Sequence, residues 1–278
     1  MGQFWGLSIS EDSRVECVLR KFESYIERCT SGMGSFGVGY YSRGELLQTV
    51  EPRNAAGTID ITKVIRGVRS DLILMHARTP RREAVRREDI HPFRFKDWLF
   101  AHNGQIQGFD DIRDKLSGAI PEFIRRNIRG GTDSEYMFHL FLAFLYDAGH
   151  LGRPNTDVNH IADALTRTFS TIDEFLSVAG HDPSAASVIV SDGYSLVAAA
   201  RGIPVAYTVV DGVKDCLVCR TSVRPGDKEV LKVNHDDVKA VIVCSCAQDG
   251  PFEPFESLTD NELLLVSRDQ QTAFRGLR

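Results

Sequence analysis

No stretch of this sequence stays apolar for the roughly 20 residues that a membrane-crossing helix needs. The first residues lack the basic and apolar segments of a secretory signal. Basic charge is not in excess either. Lys and Arg number 33 against 38 Asp and Glu, a formal net charge of −5. Electrostatics therefore give no support to a nucleic-acid or membrane-surface role. Cysteine is sparse, and six in 278 residues do not make a disulfide scaffold. There is no internal repeat, low-complexity tract or linker. These absences predict a cytoplasmic protein with reduced thiols. The length suffices for a large core, and residues 1–278 read as a single domain.

What is present is organised around residues 72–108. Two short apolar runs, Leu72 to Met75 and Trp98 to Ala101, read as buried strands. The first ends in His76 and Arg78, the second in His102, Asn103 and Gly104. Two such strands can deliver these groups to one end of a sheet. Asn103-Gly104 has two readings. It is a hairpin turn, or it supplies a side-chain amide beside a backbone N–H, the donor pair of an oxyanion hole. On these two residues alone, the turn is the simpler reading.

Around this stretch the pattern alternates strands and helices in blocks. Gln3 to Ile9 predicts a first strand. Asp12 or Ser13 caps a helix whose apolar positions run from Val15 to Ile26. Glycines at 32, 34, 37 and 39 break it without matching a phosphate-binding spacing. Phe36 to Ser42 and Glu45 to Val50 predict a strand pair, Ile61 to Gly67 a short helix, and Phe109 to Leu116 another. Arg81, Arg82, Glu83, Arg86, Arg87, Glu88 and Asp89 form a mixed-charge loop, most simply solvated. Thr132 and Glu135 fit a capping box with the helix stopping at Gly149. Asp133 then sits in the first turn, where negative charge is favourable; alternatively it faces a pocket and binds a cationic group. A helix from Val158 to Phe169 follows, with a third continuing through Leu176. Ser187 to Ser191, Asp192-Gly193 and Tyr194 to Ala200 predict a hairpin. Further strands are predicted at Pro204 to Val210, Cys216 to Arg220, Lys239 to Cys246 and Glu262 to Ser267. This order predicts a layered α+β fold.

Cys216 and Cys219 form a C-x-x-C, and Cys244 and Cys246 a C-x-C. Four thiolates can hold zinc. A strand, however, would aim Cys216 and Cys219 at opposite faces, and only a turn would let both ligate one ion. The plainer reading is that these are small hydrophobes in core strands.

Taken together, several motifs resemble the class II glutamine amidotransferases, a family of N-terminal-nucleophile hydrolases. MHAR at 75–78, HPF at 91–93, FAHNG at 100–104, GGTDSE at 130–135 and SDG at 191–193 occur in the family's order. The likeness is greatest to small stand-alone members, including those that hydrolyse γ-glutamyl amides, and spans essentially the whole chain. It implies a four-layer αββα sandwich. It also implies an N-terminal Cys, exposed by loss of Met1, that attacks a glutamine side-chain amide with its own α-amino group as base. By position, Asn103 and Gly104 would form the oxyanion hole. Arg78 would hold the substrate α-carboxylate, Asp133 its α-ammonium, and His102 would orient Asn103. The chemistry needs no cofactor or metal. The ligand would be glutamine or a γ-glutamyl small molecule. An ammonia acceptor would be water or sit on a protein partner.

The sequence departs from the pattern where it matters most. Residue 2, the nucleophile position, is Gly. Cys17 and Cys29 lie on or after a helix, and the other thiols lie late in strands, so none replaces it. Arg82-Glu83 stands where relatives have a Gly, Asp89 where an Asn is usual, Ser35-Phe36 where Gly-Trp is usual, and Cys244-Ser245-Cys246 where Ser-Glu is common. Three explanations of Gly2 remain open: a natural pseudoenzyme that binds a ligand or protein partner, an engineered change that traps substrate, or a misassigned start. The third fits least, because Gln3 to Ile9 already sits where the family's first strand begins. The expected consequence is a chain without glutaminase activity.

Overall fold

The computed structural model describes residues 2–51, 57, 59–80, 85–222, 230–245 and 253–277. Arg81, Arg82, Glu83 and Cys246 of the sequence reading lie outside the described residues. In chain order the elements are β1 (Gly2–Ile9), α1 (Val15–Lys21), α2 (Glu23–Thr30), β2 (Phe36–Ser42), β3 (Glu45–Glu51), α3 (Ile61–Ile65) and β4 (Leu72–Arg78). Then come β5 (Phe93–Phe95), β6 (Trp98–Gly104), α4 (Phe109–Ala119), α5 (Glu122–Arg125), α6 (Asp133–Asp147), α7 (Val158–Val178), β7 (Ala186–Ser191) and β8 (Leu196–Ala200). The remainder is β9 (Ala206–Val213), β10 (Thr221–Ser222), β11 (Val230–Leu231), β12 (His235–Cys244), β13 (Glu256–Ser257), β14 (Glu262–Val266) and β15 (Thr272–Gly276).

Two antiparallel sheets stack face to face. The first has the order β13-β9-β12-β1-β4-β2-β3, the second β15-β14-β8-β7-β6-β5. The period-2 alternation of strand side chains builds three cores from them. On β1, Trp5, Leu7 and Ile9 face α1, α2 and α3, while Phe4 faces the other sheet. On β4, Ile73, Met75 and Ala77 share that helix side, and Leu72 and Leu74 point between the sheets. On β6, Leu99 and Ala101 complete the inter-sheet layer, and Trp98 and Phe100 pack under α4, α6 and α7. The result is the expected αββα sandwich. Burying each such large side chain contributes about 1.5–3 kcal/mol.

Several sequence expectations change in detail. The first predicted helix is two, broken at Phe22, with α1 ending there. The two helices predicted after residue 158 are the single α7, whose buried face runs unbroken from Ile161 to Leu176. Thr132 caps α6 by accepting the Glu135 N–H. Glu135 does not reach back to Thr132; its carboxylate accepts the N–H groups of Arg129 and Gly130 instead, at 2.8 and 2.7 Å. At the other end, His150 N–H bonds Leu145 C=O and Gly149 N–H bonds Tyr146 C=O. Gly149 takes φ 75° to close this Schellman motif. Residues 216–220 are not a strand but a turn. Cys29 is disulfide-bonded, so the expectation of reduced thiols does not hold for it. Among the described residues, no helix is long and apolar enough to cross a membrane.

Candidate active site

β1 begins at Gly2, which pairs with Arg78 at the end of β4. Strand alternation puts Gly2, His76 and Arg78 on the inter-sheet side with Phe4, Leu72 and Leu74. β6 ends at Gly104 on the facing sheet, and α6 starts at Asp133 beside it. Chain ends of both sheets and a helix N-terminus thus meet at one open edge of the sandwich. A cavity of 1030 Å³ opens there, walled by Gly2, His76, Arg78, His102, Gly104 and Asp133 among others.

Asn103-Gly104 is not a hairpin turn. Both residues belong to β6, paired with Ser187 and Ala186 of β7. Gly104 has φ 140°, and a Cβ there would press into the backbone of Ala185 and Ala186. Only glycine lets β6 run this close to β7 in that conformation. Asn103 is buried and is not among the described residues that line the cavity. Its Nδ2 donates to Ser245 Oγ at 3.2 Å, and its Oδ1 is buried with no hydrogen-bond partner. Ser245 in turn accepts the Phe4 N–H at 3.0 Å, which ties Asn103 to β1.

His102 points the other way, toward α6. Its Nδ1 shares a hydrogen bond of 2.8 Å with Ser134 Oγ, and its Nε2 is buried without a partner. Burial pushes its pKa down, with Asp133 pulling the other way. The role expected of it, orienting Asn103, has no direct contact behind it; the contact is to Ser134. Asp133 Oδ1 accepts the Ser134 N–H and Oδ2 the Ile106 N–H, each at 2.8 Å. Those bonds fix the carboxylate at the cavity wall while leaving lone pairs for a ligand. In the mixed-charge loop, Glu88 pairs with Arg86 at 3.7 Å.

His76 is the residue the sequence reading left without a role. It is fully buried, and its ring lies 4.3 Å from that of His91. Its pKa falls to about 3, chiefly through burial and secondarily through His102, against a hydrogen bond to the His102 backbone. Its Nε2 is buried and unpartnered. A Cβ built on Gly2 would collide with Nε2 and Cε1 of this ring. The ring therefore stands where a side chain at residue 2 would begin. Ser134 and Ser245 were also missed. Ser134 lies inside the TDSE motif, whereas Ser245 is 142 residues from Asn103 and carries no local signal.

The sequence profile of the class-II glutamine amidotransferases matches residues 1–209. Among curated proteins the chain is similar to the probable glutamine amidotransferase DUG3 of Saccharomyces cerevisiae. It is 29% identical over 178 residues, 58% of this chain and 49% of that protein. An uncharacterized protein of Methanocaldococcus jannaschii is 27% identical over 149 residues, 51% of this chain and 38% of that one. The chain thus spans about half the length, or less, of the curated relatives it matches. Among solved structures, a glutamine aminotransferase class-II domain protein from Silicibacter pomeroyi superposes with a TM-score of 0.59 at 20% identity, covering 99% of both chains. The glutamine phosphoribosylpyrophosphate amidotransferase of B. subtilis gives 0.58 at 15%, covering 99% of this chain and 49% of that one. At these identities the structural likeness is one of fold.

Proposed function

The chain belongs to the class II glutamine amidotransferase family, and from that premise we propose that it has lost the family's hydrolysis of glutamine or γ-glutamyl amides while keeping a glutamyl-binding pocket. The observation that carries this reading is the His76 ring lying beside Gly2. Residue 2 offers no attacking atom, and the His76 ring fills the room beside it. Acyl transfer needs a nucleophile as well as oxyanion donors. Asn103 and Gly104 cannot substitute for one.

The pocket reading rests on Arg78 and Asp133. Both line the same cavity, one at the end of β4 and one at the start of α6. A guanidinium and a carboxylate lining one cavity suit the carboxylate and ammonium of an α-amino acid. Glutamine, glutamate or a γ-glutamyl dipeptide is the ligand class. The inter-sheet core contains residues from β1 to β14, which supports reading 1–278 as one domain. A cytoplasmic location agrees with the family chemistry. A ligand bound only by the folded state adds about 2.7 kcal/mol of stability at one hundred times Kd. These compounds should therefore raise the melting temperature in a dose-dependent way, and Arg78→Ala and Asp133→Ala should each abolish the rise. No rise at millimolar ligand in a folded sample would remove the pocket. The chain would then read as a scaffold that binds a protein partner through its surface.

A further inference from the structure

At the far end of β1 from Gly2, a second cluster forms that the glutamine chemistry does not use. Cys17 projects from α1. Cys216 and Cys219 bracket the turn that follows β9. His235 opens β12, opposite Val213 of β9. One ligand atom from each of the four lies within 4.8 Å of all the others.

The distances fit a metal better than they fit packing alone. Zinc–sulfur bonds of about 2.3 Å in tetrahedral array put neighbouring sulfurs about 3.8 Å apart. Cys17 Sγ and Cys219 Sγ are 3.6 Å apart. That is far beyond a disulfide bond of about 2.05 Å, and Cys17, Cys216 and Cys219 are all free thiols. A further observation points to a ligand. His235 Nε2 is buried and has no hydrogen-bond partner. A buried ring nitrogen left so is costly, and coordination would satisfy it. Residues 217–219 form a turn between Cys216 and Cys219. That turn removes the objection that a strand would splay the two cysteines.

The surroundings are built to hold the cluster. Cys216 N–H bonds Val233 C=O at 2.7 Å, and Asp215 N–H bonds Asn234 Oδ1 at 2.9 Å, so the turn is pinned to the chain entering His235. The Arg14 guanidinium donates to Cys219 Sγ at 3.8 Å. A cation there offsets the surplus negative charge of three thiolates around a divalent ion.

We propose that Cys17, Cys216, Cys219 and His235 bind one structural zinc ion, which ties α1 to the β9–β12 edge of the first sheet. Three cysteines and a histidine in a closed tetrahedron are a structural donor set with no position left for a substrate. The thiols ligate as thiolates, their protons passing to solvent. Cys244 is not part of the set; its sulfur lies 3.7 Å from the Tyr25 hydroxyl, within the helix-side core.

The test is elemental analysis of the full chain, purified without a metal-affinity tag and supplied with zinc salts. Near one zinc per chain is expected, unchanged in Cys244→Ser and retained in His235→Cys. Cys216→Ser and Cys219→Ser should lose it. Replacing zinc by cobalt in the wild-type chain should give thiolate-to-cobalt charge-transfer absorption and the visible bands of a tetrahedral site, a readout that depends on no variant folding. A folded wild-type chain that holds no zinc after reconstitution overturns the proposal. So does one whose three thiols alkylate freely in the presence of zinc, or in which Cys17 and Cys219 are found as a disulfide.

Discussion

Replacing Gly2 by Cys restores the family's nucleophile on paper, yet here the new side chain meets His76. A Cβ at residue 2 collides with Nε2 and Cε1 of that ring. The ring cannot swing away freely. It packs against His91 and hydrogen-bonds to the His102 backbone. Losing that bond costs about 0.5–1.5 kcal/mol, and forcing extra atoms into a packed interior costs about 1–3 kcal/mol. Gly2→Cys should therefore destabilise the chain by about 1–3 kcal/mol. In a His76→Ala background the same substitution has room, and its cost should nearly vanish. The assay is urea denaturation of the wild-type chain, both single variants and the double variant. A coupling of about 1–3 kcal/mol is expected, well above the roughly 0.3–0.5 kcal/mol scatter of independent sites. Costs that simply add would mean that His76 does not occupy the space beside residue 2, and the argument from Gly2 and His76 would fail.

Acid should destabilise the fold through two buried histidines. His76 is pushed to about 3 and His139 to about 4, both chiefly by burial. Below their unfolded value near 6.5 the unfolded chain takes up protons that the folded chain refuses. Their contribution is thus complete above about pH 6.5 and lost as pH falls. At about 1.4 kcal/mol per unit for each group, stability should drop by about 2–3 kcal/mol between pH 6 and 5. An unchanged urea midpoint over that range would refute the assignment. Asp192 accepts the N–H groups of Thr156, Tyr194 and Ser195 at 2.8, 3.0 and 2.9 Å. Asp192→Ala strands buried donors, so a loss of about 3 kcal/mol or more in chemical denaturation is expected. Thr132→Ala should cost about 1 kcal/mol by uncapping α6, read as a lower melting temperature. In a Gly2→Cys variant that turns over glutamine, adding Asn103→Ala should cost about 2.7–4 kcal/mol in kcat/KM; indifference would remove Asn103 from the oxyanion hole.

Much of this was legible along the chain because it is local. Gln3 to Ile9 shows its alternation, and the Thr132 cap on the Glu135 N–H spans four residues, although the Glu135 carboxylate turns to Arg129 and Gly130. The convergence of Arg78, Gly104 and Asp133 on one cavity was legible too, since each sits in a short motif, MHAR, FAHNG or TDSE. What was not legible depends on distant contacts. Ser245 takes the Asn103 amide from 142 residues away. The reading of the late thiols as one set left out Cys17 and His235, which lie beside Cys216 and Cys219. Cys17 comes from α1 and His235 from the start of β12, and no spacing rule joins them. Residues 216–220 carry strand-forming side chains, but the pinning of Cys216 to Val233 makes them a turn. His76 was named at the end of its strand, but the place of its ring beside Gly2 is visible only when β1 and β4 are paired.

The most direct test is ammonia release from glutamine and from γ-glutamyl dipeptides by the purified wild-type chain. The expected rate is no greater than that of buffer alone, at any chain concentration. Sustained release that scales with the chain, and survives Cys17→Ser and Cys29→Ser, would contradict it.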